Sequence, residues 1–164
     1  MNSNNVNKIG KNLNSGMVTR VPDGDGLYVM PQNGIEEIEL RLIGIDAPEK
    51  SVCKKLLQDE REAHMPGQLL VELGRQSHLF LRSLVPIGTI ISYYSDQKNS
   101  HDLYNRLLVF AYLPNGACIN ELLLKKGYAK VLDKYQCDEL AHYRTLNFDA
   151  RRNKKGLYHQ VENF

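Results

Sequence analysis

Residues 23–49 read DGDGLYVMPQNGIEEIELRLIGIDAPE, and the order of elements in this stretch decides the fold. Asp23-Gly24-Asp25-Gly26 is a turn, and the apolar residues 27–30 after it form a strand. Pro31-Gln32-Asn33-Gly34 carries an Asn-Gly hairpin signal, which supplies the two positive-φ positions of a tight turn. Over residues 35–45, Ile38, Leu40 and Leu42 alternate with Glu37, Glu39 and Arg41, the period-two pattern of a strand. With the short β-branched segment at 17–21 in front, the region makes a three-stranded meander. By alternation, Arg41 shares the solvated face of Glu37 and Glu39, opposite Leu40 and Leu42.

Beyond the meander, residues 51–67 are polar and charged and end at Pro66-Gly67; a loop with a short helical turn is expected there. Leu69, Leu70, Leu73, Ser77, Phe80, Leu81 and Leu84 then recur at helical spacing until Pro86. Residues 89–94 and 107–113 read as two more strands, the second closed by Pro114-Asn115-Gly116. Residues 119–126 form a short helix with lysines in its last turn and Gly127 just past its end. A last helix spans about 138–153, acidic at its start, with Arg151, Arg152, Lys154 and Lys155 at its end before Gly156. This order predicts an α+β domain, a five-stranded OB-type β-barrel with three packed α-helices. The expected divisions are a flexible tail at 1–15, the barrel domain at 16–159 and a C-terminal tail at 160–164.

Composition agrees with one domain: 164 residues, 42% apolar and 24% charged, with a net charge of +2 that neither demands nor excludes a polyanionic partner. The longest apolar run, at 107–113, is far short of the ~20 residues a membrane helix needs, so no membrane association is expected. The first sixteen residues are Asn-rich without a secretory core, so the cytoplasm is expected unless a signal has been removed or another export route is used. Cys53, Cys118 and Cys137 lack metal or disulfide spacing and read as ordinary thiols, and the five histidines do not cluster.

The densest chemistry lies in Asp23-Gly24-Asp25-Gly26 and Arg41-Leu42-Ile43-Gly44-Ile45-Asp46-Ala47-Pro48-Glu49. Asp25 opens one strand and Asp46 closes the third, so pairing can bring both carboxylates to one end of the sheet. Hard divalent cations take such oxygens together with carbonyls and water. Each piece also has a plainer reading: DGDG alone is a good turn, and DAPE alone is a strand exit stopped by proline.

Together these pieces resemble the staphylococcal nuclease, or thermonuclease-like, family, whose signature runs D-G-D-[T/S/G] and then R-L-x-x-[I/V]-D-[T/A]-P-E. Asp102-Leu103-Tyr104-Asn105-Arg106-Leu107-Leu108 resembles the family's segment before the fifth strand. The run from Pro114-Asn115-Gly116 through Asn120 to Gly127-Tyr128-Ala129, and the ending Lys154-Lys155-Gly156-Leu157-Tyr158, are also similar.

The resemblance implies a Ca²⁺-dependent endonuclease that hydrolyses DNA and RNA with little sequence preference and leaves 3′-phosphate ends. It implies Asp25, Asp46 and the Ala47 carbonyl as calcium ligands, Glu49 as the residue that positions or deprotonates water, and Arg41 and Arg106 as the grip on the scissile phosphate. Asp23 and Gly24 support Asp25, and Asp102 and Tyr104 contact substrate. Asp133 stands where a stacking tyrosine occurs in relatives, and Tyr135 is the ring that can replace it, or else packs in the core. Leu103 and Asn105 depart from the usual Lys and Gly, and residues 51–67 add length before Gly74-Arg75-Gln76. A monomer without an obligate protein partner is expected, in which Arg41→Ala and Glu49→Ala each fold normally and lose activity. The alternative is a non-catalytic OB-fold module that binds nucleic acid or protein.

Overall fold

The computed structural model describes residues 12–96 and 98–164. Most of the expected tail, residues 1–11, lies outside them, whereas Asn14 and Ser15 already pair within the first strand. Five strands close a barrel: β1 (Asn14–Arg20), β2 (Gly26–Pro31), β3 (Ile38–Leu42), β5 (Ile90–Ser95) and β6 (Leu107–Tyr112), in the order β1-β2-β3-β6-β5. β3 and β6 run parallel, with Arg41 opposite Leu108, and the other pairs are antiparallel. A two-residue strand, β4 (Ile45–Asp46), leaves the barrel after Gly44 and pairs with β7 (Lys130–Val131). The segment 35–45, expected as one strand, is thus broken at Gly44, whose φ of 77° turns the chain.

The barrel interior is filled by Val18, Leu27, Val29, Leu40, Leu42, Ile91 and Val109, all at most 1% exposed. Their alternation along β1, β2 and β3 is the pattern that made these segments legible as strands. The hairpin between β2 and β3 departs from expectation. Neither Asn33 nor Gly34 has positive φ, and the Gly34 N–H donates to Pro31 O at 3.0 Å across an ordinary four-residue turn. The connection runs from Pro31 to Ile38, too long to need the mirror-image turn of a two-residue hairpin.

The α-helices among the described residues are α1 (Lys54–Ala63), α2 (Gly67–Leu84), α3 (Ile119–Lys125) and α4 (Leu140–Arg152), with α1 packed against α2. Three correspond to the expected helices, and α1 is the addition, formed in the stretch expected as a loop. Leu56 of α1 packs with Leu70 and Leu73 of α2, Ala150 of α4, and Leu157, Tyr158 and Phe164 in a second core outside the barrel. Residues 160–164 therefore end on a buried ring, with Phe164 tilted at 31° to Tyr158, 4.8 Å away between ring centres. No helix among the described residues is long and apolar enough to cross a membrane.

Asn120, fully buried at the start of α3, ties this helix to the barrel. Its Oδ1 accepts the Ala111 N–H at 3.1 Å, and its Nδ2 donates to Ile43 O at 3.0 Å and Val109 O at 3.1 Å. Alanine there would strip the buried Ala111 N–H and Ile43 O of this partner, while Val109 O keeps the Ile43 N–H at 3.0 Å. Asn120→Ala is expected to lower stability by about 3 kcal/mol or more, read from urea unfolding; a loss below about 1 kcal/mol would show that water replaces the amide.

Candidate active site

Asp25 and Asp46 meet at one mouth of the barrel, though not by the expected pairing: Asp46, expected to close the third strand, lies on β4 beyond the Gly44 turn and pairs with β7. Asp25 directly precedes β2, and its carbonyl accepts the Leu42 N–H at 3.0 Å; Asp46 ends β4. Between them lies Arg41, and here the expected solvated face is overturned. The arginine is 7% exposed, because the β3–β6 pairing, β4 and the Asp25 turn cover its side of the strand. Its Nη2 meets Asp25 Oδ2 at 3.0 Å and Asp46 Oδ1 at 3.1 Å. Its Nη1 donates to the carbonyls of Asp25 and Leu42, each at 3.2 Å. One planar guanidinium thus fixes both carboxylates, a geometry that a point-like ammonium could not supply.

The supporting residues act through the backbone. Asp23 Oδ1 accepts the Asp25 N–H at 3.2 Å, forming an Asx turn, and the Ala47 N–H donates to Asp25 Oδ2 at 2.7 Å. Ala47 enters the site's hydrogen bonding through its N–H; its carbonyl, the ligand that the resemblance implies, makes none of these contacts. A Cβ on Gly24 would stand 2.7 Å from both the Ala47 and Ser77 Cβ atoms, and one on Gly74 would stand 2.4 Å from the Glu49 carbonyl. Helix α2 therefore presses directly on the Asp23-Gly24 turn and on the backbone that carries Glu49, and only glycine permits these approaches.

Asp102 organises a second part of the cleft. Its Oδ1 accepts the Tyr104 and Arg106 N–H groups, each at 2.9 Å, and its Oδ2 receives Arg106 Nε at 2.7 Å. Asn105 holds φ 59° in this loop, the left-handed region that glycine favours and asparagine tolerates. Burial alone would raise the Asp102 pKa, but the Arg106 amide and guanidinium and the Tyr104 amide outweigh it and hold the carboxyl below its usual value. A depressed pKa adds stability that is complete above the unfolded carboxyl value and disappears as pH falls through the folded one. Asp102→Asn should therefore flatten the acid side of the stability profile, checked by urea midpoints between about pH 5 and pH 2; an unchanged slope would contradict the pairing.

Asp23, Asp25, Arg41, Asp46, Glu49, Asp102, Tyr104, Arg106 and Tyr135 all line one cleft of about 770 Å³, whereas Gly24 and Ala47 lie behind its wall. Tyr104 is exposed beneath the Arg106 guanidinium, 5.5 Å from it, and Tyr135 is half-buried with Lys134 5.5 Å above its ring. Asp133 turns to Arg144, 3.6 Å away.

Sequence reasoning missed Lys55 and Asp59 of α1. Lys55 Nζ lies 2.8 Å from Asp46 Oδ1 and 3.1 Å from Glu49 Oε1, with Asp59 Oδ2 at 4.0 Å. Burial disfavours the ammonium, but Asp46, with Glu49 and Asp25, outweighs it and raises the Lys55 pKa above the lysine range. Burial likewise raises Asp25 against the pull of Arg41, and raises Asp59 against Lys55. The available signal was the i,i+4 pairing of Lys55 with Asp59 and Gln58 with Glu62, in a stretch free of Gly and Pro from 52 to 65.

Among the described residues, no three Asp, Glu, His or Cys side chains form a metal site on their own. The donor set nevertheless suits a hard cation. Five carboxyl groups, from Asp23, Asp25, Asp46, Glu49 and Asp59, line this part of the cleft, where Arg41 and Lys55 are the cations in ion-pair contact with Asp25, Asp46 and Glu49. Asp25 and Asp46 converge on a single nitrogen, which leaves carbonyl and water to complete a Ca²⁺ shell.

A model of the staphylococcal nuclease homologue family matches residues 39–160. The chain is 31% identical over 147 residues to an uncharacterized endonuclease of Escherichia coli O157:H7, across 90% of this chain and 78% of that protein. It is 26% identical over 149 residues to endonuclease YhcR of Bacillus subtilis (strain 168), across 88% of this chain but 11% of that protein.

Proposed function

Because the chain belongs to the staphylococcal nuclease homologue family, we propose that it is a calcium-dependent nuclease that hydrolyses phosphodiester bonds of DNA and RNA with little sequence preference. The observation that carries this reading is the buried Asp25–Arg41–Asp46 cluster opening into the same cleft as Glu49 and Arg106. Asp25, Asp46 and, after a change of contact, the Ala47 carbonyl would hold Ca²⁺, which supplies Lewis-acid polarisation of the phosphate when bound.

The chain's own residues divide the remaining work. A nucleic-acid strand lies along the cleft with its bases against Tyr104 and Tyr135, because every base offers a face to stack and sequence then matters little. Arg106, its Nε held by Asp102, presents the rest of its guanidinium to the scissile phosphate. Arg41 places cationic charge beneath the two carboxylates. Attack of water at phosphorus builds charge on the non-bridging oxygens, which these guanidinium groups offset in a site prepared before substrate arrives. Glu49 orients the attacking water and accepts its proton, and departure of the 5′ oxygen leaves a 3′-phosphate.

Asp25→Asn and Asp46→Asn test the reading directly. Each should abolish calcium-stimulated cleavage of single-stranded DNA while still binding it; a variant as active as wild type would exclude that carboxylate as a ligand. Binding without cleavage by the wild-type protein would instead make it a nucleic-acid-binding module. Gly74→Ala, whose Cβ would stand 2.4 Å from the Glu49 carbonyl, should lower stability and, by displacing the Glu49 backbone, cut cleavage by on the order of ten- to a hundredfold. Unchanged rates would show that Glu49 tolerates the shift.

A further inference from the structure

Lys55 belongs to none of the matching motifs, yet its ammonium sits among the carboxylates of the site. Asp46 Oδ1 accepts from it at 2.8 Å and from Arg41 Nη2 at 3.1 Å, so both lone pairs of that oxygen are taken by charged donors. A cation held on Asp46 Oδ1 would meet the ammonium charge at hydrogen-bond range. One of the two resident cations must therefore move when a metal ion takes that oxygen.

The two are not equally free to leave. The Arg41 side chain is 9% exposed and is pinned by two backbone carbonyls as well as two carboxylates. The Lys55 side chain is 38% exposed and reaches Asp46 and Glu49 on a flexible four-carbon stem from α1, with side-chain partners only. Its displacement costs ion pairs and little packing, and solvent lies on its open side.

We infer that Lys55 is an internal counter-ion that competes with the divalent metal for Asp46 and Glu49, so that metal loads only as Lys55 swings out of the site. This rests on the metal-dependent reading above and assigns a role to α1, the element that the compact sequence pattern does not contain. While metal is absent the ammonium keeps the carboxylate cluster compensated. Once displaced, it stands in the cleft as an additional cation for the substrate backbone. Metal affinity is thereby set by this chain's own lysine.

The test is calorimetric titration of the full chain with CaCl₂, comparing wild type with Lys55→Met and Lys55→Arg and following calcium-dependent melting in parallel. Removing the charge should tighten calcium binding about tenfold, while the arginine variant stays close to wild type. Lys55→Met should melt below wild type in chelator and gain more from calcium. Equal or weaker calcium binding by Lys55→Met, with wild type binding normally, would overturn the competition and leave the nuclease reading intact. Absence of calcium binding in every variant, wild type included, would overturn both.

Discussion

Arg41→Ala is expected to cost about 3–5 kcal/mol of stability as well as activity, because it strips two buried carboxylates of the cation that compensates them. This revises the expectation that the variant folds normally, because Arg41 is buried. The exposed pair Arg20–Glu37 provides the contrast: with side-chain exposures of 60% and 29%, its loss should leave stability close to wild type. The deficit of Arg41→Ala should also depend on pH. Burial raises the Asp25 pKa, so the uncharged form is favoured in the fold, and the associated stability is present at acid pH and lost as pH rises through the raised value. Without Arg41 opposing it, that loss deepens. The gap in urea midpoint between variant and wild type should therefore widen from acid to alkaline pH. A constant gap would mean that the carboxylates find other partners.

Glu49→Gln should leave stability close to wild type and lower the cleavage rate by about 10²- to 10⁴-fold, the range for loss of a general base. The amide keeps an oxygen for Lys55 and the shape of the side chain, and the position is partly exposed, so the fold has little to lose. Cleavage at the wild-type rate would remove Glu49 from the proton transfer.

What could be read from sequence follows from where the physical signal was local. Leu40 and Leu42 alternate because one face of β3 fills the barrel, so the strand and its neighbours were visible. Asp25 was legible at its strand end because the β2–β3 pairing fixes that end, whereas Asp46 reaches it through β4, a strand outside the meander. Arg41 was misplaced because alternation separates two faces without telling whether the second is wet, and only the β3–β6 pairing and the detour through β4 cover it. The hairpin at Asn33-Gly34 misled because a dipeptide signal presumes a two-residue loop, whereas the connection here is longer. Helix α1 was missed because it buries only Leu56 and Asp59, too few to print an apolar stripe. Its evidence lay in paired charges, and Lys55 turned out to carry part of the site.

Purified protein incubated with end-labelled single-stranded DNA in calcium, with a parallel reaction in chelator, should give progressive shortening with 3′-phosphate ends in calcium and intact DNA in chelator. DNA that stays full-length in calcium, or that is degraded equally in both, would contradict calcium-dependent cleavage.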